Sequence, residues 1–350
     1  MKVWMDILSP KQLLLFTSLA ERFRRLGHSI LLTSRRYVQL DELIETRFRD
    51  WGIIRVGEWG GGSMEGKLKA SIERMRMLFD IVISDKPDVC FSSGSPEAAR
   101  IAYGLGIPHL MISDTPHSPV NRLSAPLSRK ILTPWVIPLQ EWIEAGANRR
   151  MIARYRALDP CFWLRDFKPD RSALGDLEEG GYVLFRMPET QASYLKAGDR
   201  EFLELARKIA GMLGQMKLVV LCRYLEQAEL ARRTLGGEAV IVDRLVPGAS
   251  LIAFSAIFIG GGGTMTQEAS LLGIPAISIY PGELPAVLRF LVRRKLLMHI
   301  REPEAVIRAL AELLERLDAI RDSWRRRAQN LWRIMEDPFN AVSREIELLA

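Results

Sequence analysis

The chain has 350 residues, 48% of them hydrophobic, a formal net charge of +7, three cysteines and four histidines. That length exceeds one ordinary α/β domain and fits about two cores. Widely spaced cysteines (Cys90, Cys161, Cys222), histidines without an H-x-x-x-H pair and the lack of any apolar run of roughly 18 residues argue against a disulfide framework, a transition-metal site and a membrane span.

The opening residues read as a strand over Val3–Ile7 rather than a signal peptide, and the cysteine usage suits a reducing, cytoplasmic setting. A helix is expected over Pro10–Leu26, a strand at His28–Thr33 and a helix near Tyr37–Asp50. A strand at Ile53–Val56 runs into a loop holding Gly57, Gly60, Gly61 and Gly62, then a helix from Met64 to Ser84. Strand Asp88–Phe91, helix Glu97–Leu105 and strand His109–Ile112 follow. Strands alternating with helices of this length imply parallel βαβ units.

A polar stretch from Leu164 to Gly181 interrupts this rhythm and reads as the domain linker. The alternation restarts with strands at Tyr182–Arg186, Lys217–Cys222, Ala239–Val242, Ala256–Ile259 and Ala276–Ile279. The remainder is helical, broken at Met335-Glu336-Asp337-Pro338, because proline cannot continue a helix. The expected organisation is a first Rossmann-like domain over 1–168, a second over 181–334 and a C-terminal helix over 335–350 packed back on the first domain.

The strongest chemical signal is Ile257-Phe258-Ile259-Gly260-Gly261-Gly262-Gly263-Thr264-Met265-Thr266-Gln267-Glu268. A buried strand passes through four glycines directly into a helix. Glycine lets backbone approach a ligand or adopt positive φ, and a helix start offers unpaired N–H groups to an anion such as a diphosphate. The other reading is a tight turn with Thr264 as N-cap. Neither a dinucleotide fingerprint nor a P-loop matches the spacing. Glu268, on the first turns, is placed either to accept hydrogen bonds from vicinal hydroxyls or to face solvent and complement the helix dipole.

The run Gly261 to Pro275 resembles the donor-site motif of GT-B proteins. It is similar to the lipid-linked N-acetylglucosaminyltransferase of murein synthesis and to the non-hydrolysing UDP-N-acetylglucosamine 2-epimerases. It resembles more fully a largely archaeal family, domain of unknown function 354. Trp4-Met5-Asp6 with Ser9-Pro10, Lys168-Pro169-Asp170, Arg186-Met187-Pro188-Glu189 and Pro281-Gly282-Glu283-Leu284-Pro285-Ala286-Val287 extend the resemblance over nearly the whole chain. It implies a GT-B fold, two Rossmann-like domains with parallel sheets facing a central cleft. It also implies that Glu268 holds a UDP ribose, that the loop amides and Met265 line the donor site, and that Gly282 and Glu283 belong to it.

Arg186, ending the first strand of the second half, offers a fork to phosphate, with an ion pair to Glu189 as the alternative. Asp6, Asp114 and His117 follow first-half strands, where open α/β sheets place ligands, and are candidates for activating an acceptor hydroxyl. Helix N-capping is the competing role for both aspartates. His28, His109 and His299 read as structural. The resemblance leads one to expect a histidine after Ser9-Pro10, where this chain has Lys11. The epimerases' histidine is replaced by the Phe185–Glu189 stretch, and their first acidic loop by Ser92-Ser93-Gly94-Ser95.

These features favour a glycosyltransferase that uses a UDP-sugar as donor substrate, with no cofactor and no metal. An epimerase or a non-catalytic sugar-nucleotide binder are the alternatives. The positive charge fits phosphates or an anionic membrane surface, with an ion-paired basic surface as the other account. Nucleic acid is not expected, since no recognition helix, zinc module or aromatic platform for RNA is visible. Trp135, Val136, Ile137, Leu139, Trp142 and Ile143, with Arg122, Arg129, Lys130 and the basic helix bearing Lys67, Lys69, Arg74 and Arg76, form a candidate peripheral membrane surface for a lipid-linked acceptor. Packing of the first domain is the alternative for the apolar residues.

Overall fold

The computed structural model describes residues 1–188, 198–243 and 246–349. The chain forms two compact units, one comprising Met1–Arg165 and Glu336–Ala350, the other Asp166–Met335.

Unit 1 is built on a seven-stranded sheet: β1 (Lys2–Ile7), β2 (Ser29–Ser34), β3 (Ile54–Arg55), β4 (Val89–Ser92), β5 (His109–Ile112), β6 (Lys130–Pro134) and β7 (Ile152–Tyr155). Its order is β3-β2-β1-β4-β5-β6-β7, and every pairing is parallel. All four residues of β4 and of β5 are buried, as expected of strands covered on both faces by crossover helices. From β1 the chain winds outward through β2 to β3, then returns to the other side of β1 with β4. The switch point of the sheet therefore lies between the carboxyl ends of β1 and β4, where doubly wound folds open a crevice.

Unit 2 repeats the plan. β8 (Tyr182–Arg186), β9 (Lys217–Leu221), β10 (Ala239–Val242), β11 (Ile257–Gly260), β12 (Ala276–Ser278) and β13 (Met298–His299) form a parallel sheet ordered β10-β9-β8-β11-β12-β13. Its switch point falls between β8 and β11. There Gly260 stands in register with Arg186, and Arg186 with Leu221.

Two strands of unit 1 go beyond the sequence reading. β6 and β7 flank the stretch offered as a membrane surface. Within that stretch Trp142 is fully buried, its indole N–H donating to Thr133 Oγ1 at 3.0 Å, and Ile137 is buried as well. These side chains are core, and burying a side chain of this size contributes about 1.5–3 kcal/mol. Ile143 remains exposed. Among the described residues no helix is long and apolar enough to cross a membrane.

The terminal helix Pro338–Glu347 packs in unit 1 on the first helix, Pro10–Arg25. Asp337 caps it by accepting from the Phe339 N–H and pairs with Arg22 at 2.6 Å, while the Arg22 guanidinium lies 4.2 Å from the Phe339 ring centroid. Phe23 and Phe339 meet with ring centroids 5.1 Å apart.

Candidate functional site

In unit 2 the chain leaves β11, crosses Gly261–Gly263 and enters the helix Thr264–Leu272. None of the four glycines has positive φ, so the run is not explained by left-handed backbone. Space explains the first two. A Cβ on Gly260 would lie 2.7 Å from Phe258 Cζ, and one on Gly261 2.7 Å from Pro188 Cγ. At Gly262 and Gly263 a Cβ would meet nothing within 4 Å. These two glycines leave open the approach to the first amides of the helix.

Those amides are not capped by a side chain. The N-cap is Gly263, Thr264 is already helical, and the first turn carries no acidic residue. Thr264 therefore does not cap the helix. Thr266 sends its hydroxyl back to the Gly262 carbonyl at 2.5 Å, fixing the loop to the helix it precedes. Orphan N–H groups and the positive end of the dipole thus face an open position. The helix also buries Thr266, Gln267, Glu268 and Ser270, an unusually polar set for a packing helix. Glu268 is 3% exposed, which removes the surface reading of this glutamate.

Arg186 ends β8 beside this turn. It is half-buried, its Nη1 donates to the Leu221 carbonyl at 2.9 Å, and its Cβ lies 3.3 Å from where a Gly260 Cβ would stand. Glu189, its suggested partner, lies outside the described residues. Met265 is half-buried, its methyl turned toward Gly248. Gly282 lies under the Tyr280 ring, where a Cβ would come within 3.0 Å of Cε1. Glu283 is exposed and 3.3 Å from Arg289. His299 is tied to the Tyr280 carbonyl at 2.8 Å, in keeping with a structural role.

In unit 1, Asp6 is completely enclosed. Arg74 grips it with Nη2 at 2.6 Å and Nη1 at 3.1 Å, and Thr33 and Ser95 hydroxyls each donate at 2.6 Å. Burial alone would raise the Asp6 pKa, but the Arg74 charge and these hydrogen bonds outweigh it and hold the carboxyl below its ordinary value. An ionised carboxylate with no open face does not suit a base for an incoming hydroxyl, so the geometry makes Asp6 a structural anion. It does not cap the first helix either, because Ser9 does. Arg74, buried with Asp6, is likewise withdrawn from any basic surface.

Asp114, after β5, is nearly buried and bound by Lys11, whose Nζ also lies 2.7 Å from Asp159 Oδ2. Tyr155, the last residue of β7, donates its hydroxyl to Asp159. Lys11 is 19% exposed and is the member of this cluster with an open face. Burial would lower its pKa, yet the two carboxylates hold it above the ordinary lysine value. Burial and then Asp114 raise the pKa of Asp159. His117 sits on an exposed loop. Lys11, Asp159 and Tyr155 were not singled out from sequence as site residues. The available signal was Lys11 itself, a cation at the start of a helix, where the dipole opposes it unless acids compensate. Among the described residues no group of three or more His, Cys, Asp or Glu is placed to hold a metal ion.

Two parallel doubly wound units, each with its own switch point, and an open glycine-rich helix start in the second define a GT-B fold. Solved structures share it. UDP-N-acetylglucosamine 2-epimerase from Rickettsia bellii superposes with a TM-score of 0.70 at 16% identity, covering 95% of each chain. The spinosyn forosaminyltransferase SpnP gives 0.64 at 15% identity, covering 99% of this chain and 98% of that one. At such identities the likeness is one of fold. An uncharacterized protein of Methanocaldococcus jannaschii is 27% identical over 314 residues, 87% of this chain and 89% of its own. Residues 1–343 match the family described as protein of unknown function (DUF354), and the chain belongs to that family.

Proposed function

We propose that this protein is a glycosyltransferase that binds a UDP-sugar at the Gly260–Glu268 turn and passes the sugar to an acceptor hydroxyl. The observation that carries the reading is the uncapped helix start behind Gly262 and Gly263, with the Glu268 carboxylate buried on the same helix. The diphosphate would accept the loop amides and Arg186, and Glu268 would take the ribose hydroxyls. In the transfer the bond from the sugar's anomeric carbon to the diphosphate breaks, the diphosphate keeps the electron pair, and the acceptor oxygen bonds to the anomeric carbon. The helix N-terminus and Arg186 meet the charge growing on the leaving group, a form of electrostatic stabilisation that needs no metal. The acceptor proton would go to His117, exposed on the loop after β5.

A second reading as an epimerase is favoured by one observation, the gathering of Lys11, Asp114 and Asp159 into one acidic cluster. Against it, no histidine follows β8 at Arg186-Met187-Pro188. Incubation with UDP-N-acetylglucosamine alone separates the two, since an epimerase forms the isomeric sugar nucleotide without acceptor and a transferase does not. A binding protein without catalysis would retain UDP and turn over neither way.

Gly263→Val tests the donor site directly. A Cβ at Gly263 meets no atom within 4 Å, so the fold should survive a branched side chain there while UDP affinity falls at least about tenfold, or about 1.4 kcal/mol. Calorimetry with UDP measures it, and unchanged affinity would remove the diphosphate from this turn.

A further inference from the structure

Arg35 continues β2 at its carboxyl end, its N–H bonded to the Ile7 carbonyl at 3.2 Å. Its side chain is half-buried, and its Nε is shielded from solvent with no hydrogen-bond partner. Among the described residues the guanidinium makes one polar contact, Nη2 to the Leu8 carbonyl at 3.5 Å, and no ion pair. The carboxylates nearby are already claimed, because Arg74 holds Asp6 at 2.6 Å and Glu97 at 3.5 Å. Burial, and then the neighbouring Arg74 charge, push the Arg35 pKa down, only partly offset by Glu97. A half-buried guanidinium with an idle, solvent-shielded donor is short of an anion.

An aromatic platform adjoins it. The Arg35 Cζ lies 5.9 Å from the Tyr37 ring centroid, and Tyr37 meets Trp59 at 6.1 Å with the planes inclined by 59°. Trp59 is 48% exposed, a large apolar surface for a protein to leave in water. In the loop beyond it, a Cβ at Gly61 or Gly62 would meet no atom within 4 Å. Packing accounts for Gly60, where a Cβ would strike the Gly66 carbonyl at 2.4 Å, and left-handed backbone for Gly61, whose φ is +74°; neither accounts for Gly62.

We infer that this corner of unit 1, Arg35 with Tyr37 and Trp59, binds a phosphate-bearing hydroxylated ring, a sugar or polyol phosphate. The guanidinium fork takes two phosphate oxygens, and the aromatic faces take the apolar face of the ring. The assignment of this ligand as the acceptor rests on the transferase reading above; the site itself does not.

The test is calorimetry of the full chain with glucose 1-phosphate, glucose and inorganic phosphate, with UDP titrated into the same samples. A vesicle arm presents phosphatidylinositol, the same chemistry as a lipid headgroup. Wild type should bind glucose 1-phosphate or the phosphatidylinositol vesicles more tightly than either glucose or phosphate. Arg35→Ala should weaken that binding at least about tenfold, Arg35→Lys less, and Trp59→Ala severalfold. UDP affinity should be unchanged in all three. Trp59 is exposed, so its variant decides the matter even if Arg35→Ala fails to fold. Binding to neither probe, or equal binding by wild type and variants, would overturn the site. Loss of UDP binding in wild type would remove the donor reading while leaving an Arg35-dependent phosphate site standing.

Discussion

His109 shows how completely unit 1 spends its polar groups inward. Its imidazole bridges Ser92 Oγ at 2.8 Å and Ser128 Oγ at 2.9 Å, fully buried, and burial lowers its pKa from the ordinary 6.5 to about 4. A histidine held neutral in the fold but free to charge when unfolded stabilises fully above pH 6.5. That contribution, about 3 kcal/mol, is lost as pH falls from 6.5 toward 4. Denaturant melts of wild type and His109→Gln at pH 7.5 and 4.5 should show a weaker pH dependence in the variant, and identical slopes would sink this assignment. Asp6 and Arg74 follow the same economy: a carboxylate that sequence position offers to a ligand is instead consumed by a guanidinium from a distant helix. That pairing was not legible in the sequence, where the partners stand 68 residues apart. The Lys11–Asp114 pair, 103 residues apart, escaped for the same reason.

At the scale of elements, legibility follows the local pattern. β4, β5, β8 and β11 are continuous apolar runs and were readable, as was the glycine run, because a strand, four glycines and a helix are adjacent in the chain. β7 was not. It is an edge strand with a burial pattern of one residue in four, and it carries Arg154 facing out. β6 ends in Pro134, which reads as a breaker, and the helix between them, Leu139–Glu144, has only six residues, too few to show a 3.6-residue period. The reason for the glycines was also only half legible: the sequence left open positive φ or close approach of a ligand, while the structure shows no positive φ, close packing at Gly260 and Gly261 and open space at the next two. The terminal helix makes its own test. Phe339 is 7% exposed between Phe23 and Arg22. Phe339→Ala should cost about 3–5 kcal/mol, visible as a lowered thermal midpoint. A loss under 1 kcal/mol, about the worth of a surface contact, would show that the helix is not part of the unit 1 core.

For the whole molecule, two doubly wound units place a switch point each, and the chemistry divides between them. Unit 2 presents an open, uncapped helix start with a buried glutamate, which we read as the donor site. Unit 1 presents an acidic cluster around Lys11 and an arginine beside half-buried Tyr37 and exposed Trp59, where we propose an acceptor binds. The donor assignment underlies the rest, and calorimetric titration of UDP into wild type and Glu268→Ala tests it most directly. Wild type should bind UDP, and the variant, provided it keeps its fold, should bind about 10- to 150-fold more weakly, the worth of about 1.5–3 kcal/mol of hydrogen bonding to a charged acceptor. Equal affinity in the two proteins, or no binding of UDP by wild type, would contradict the account.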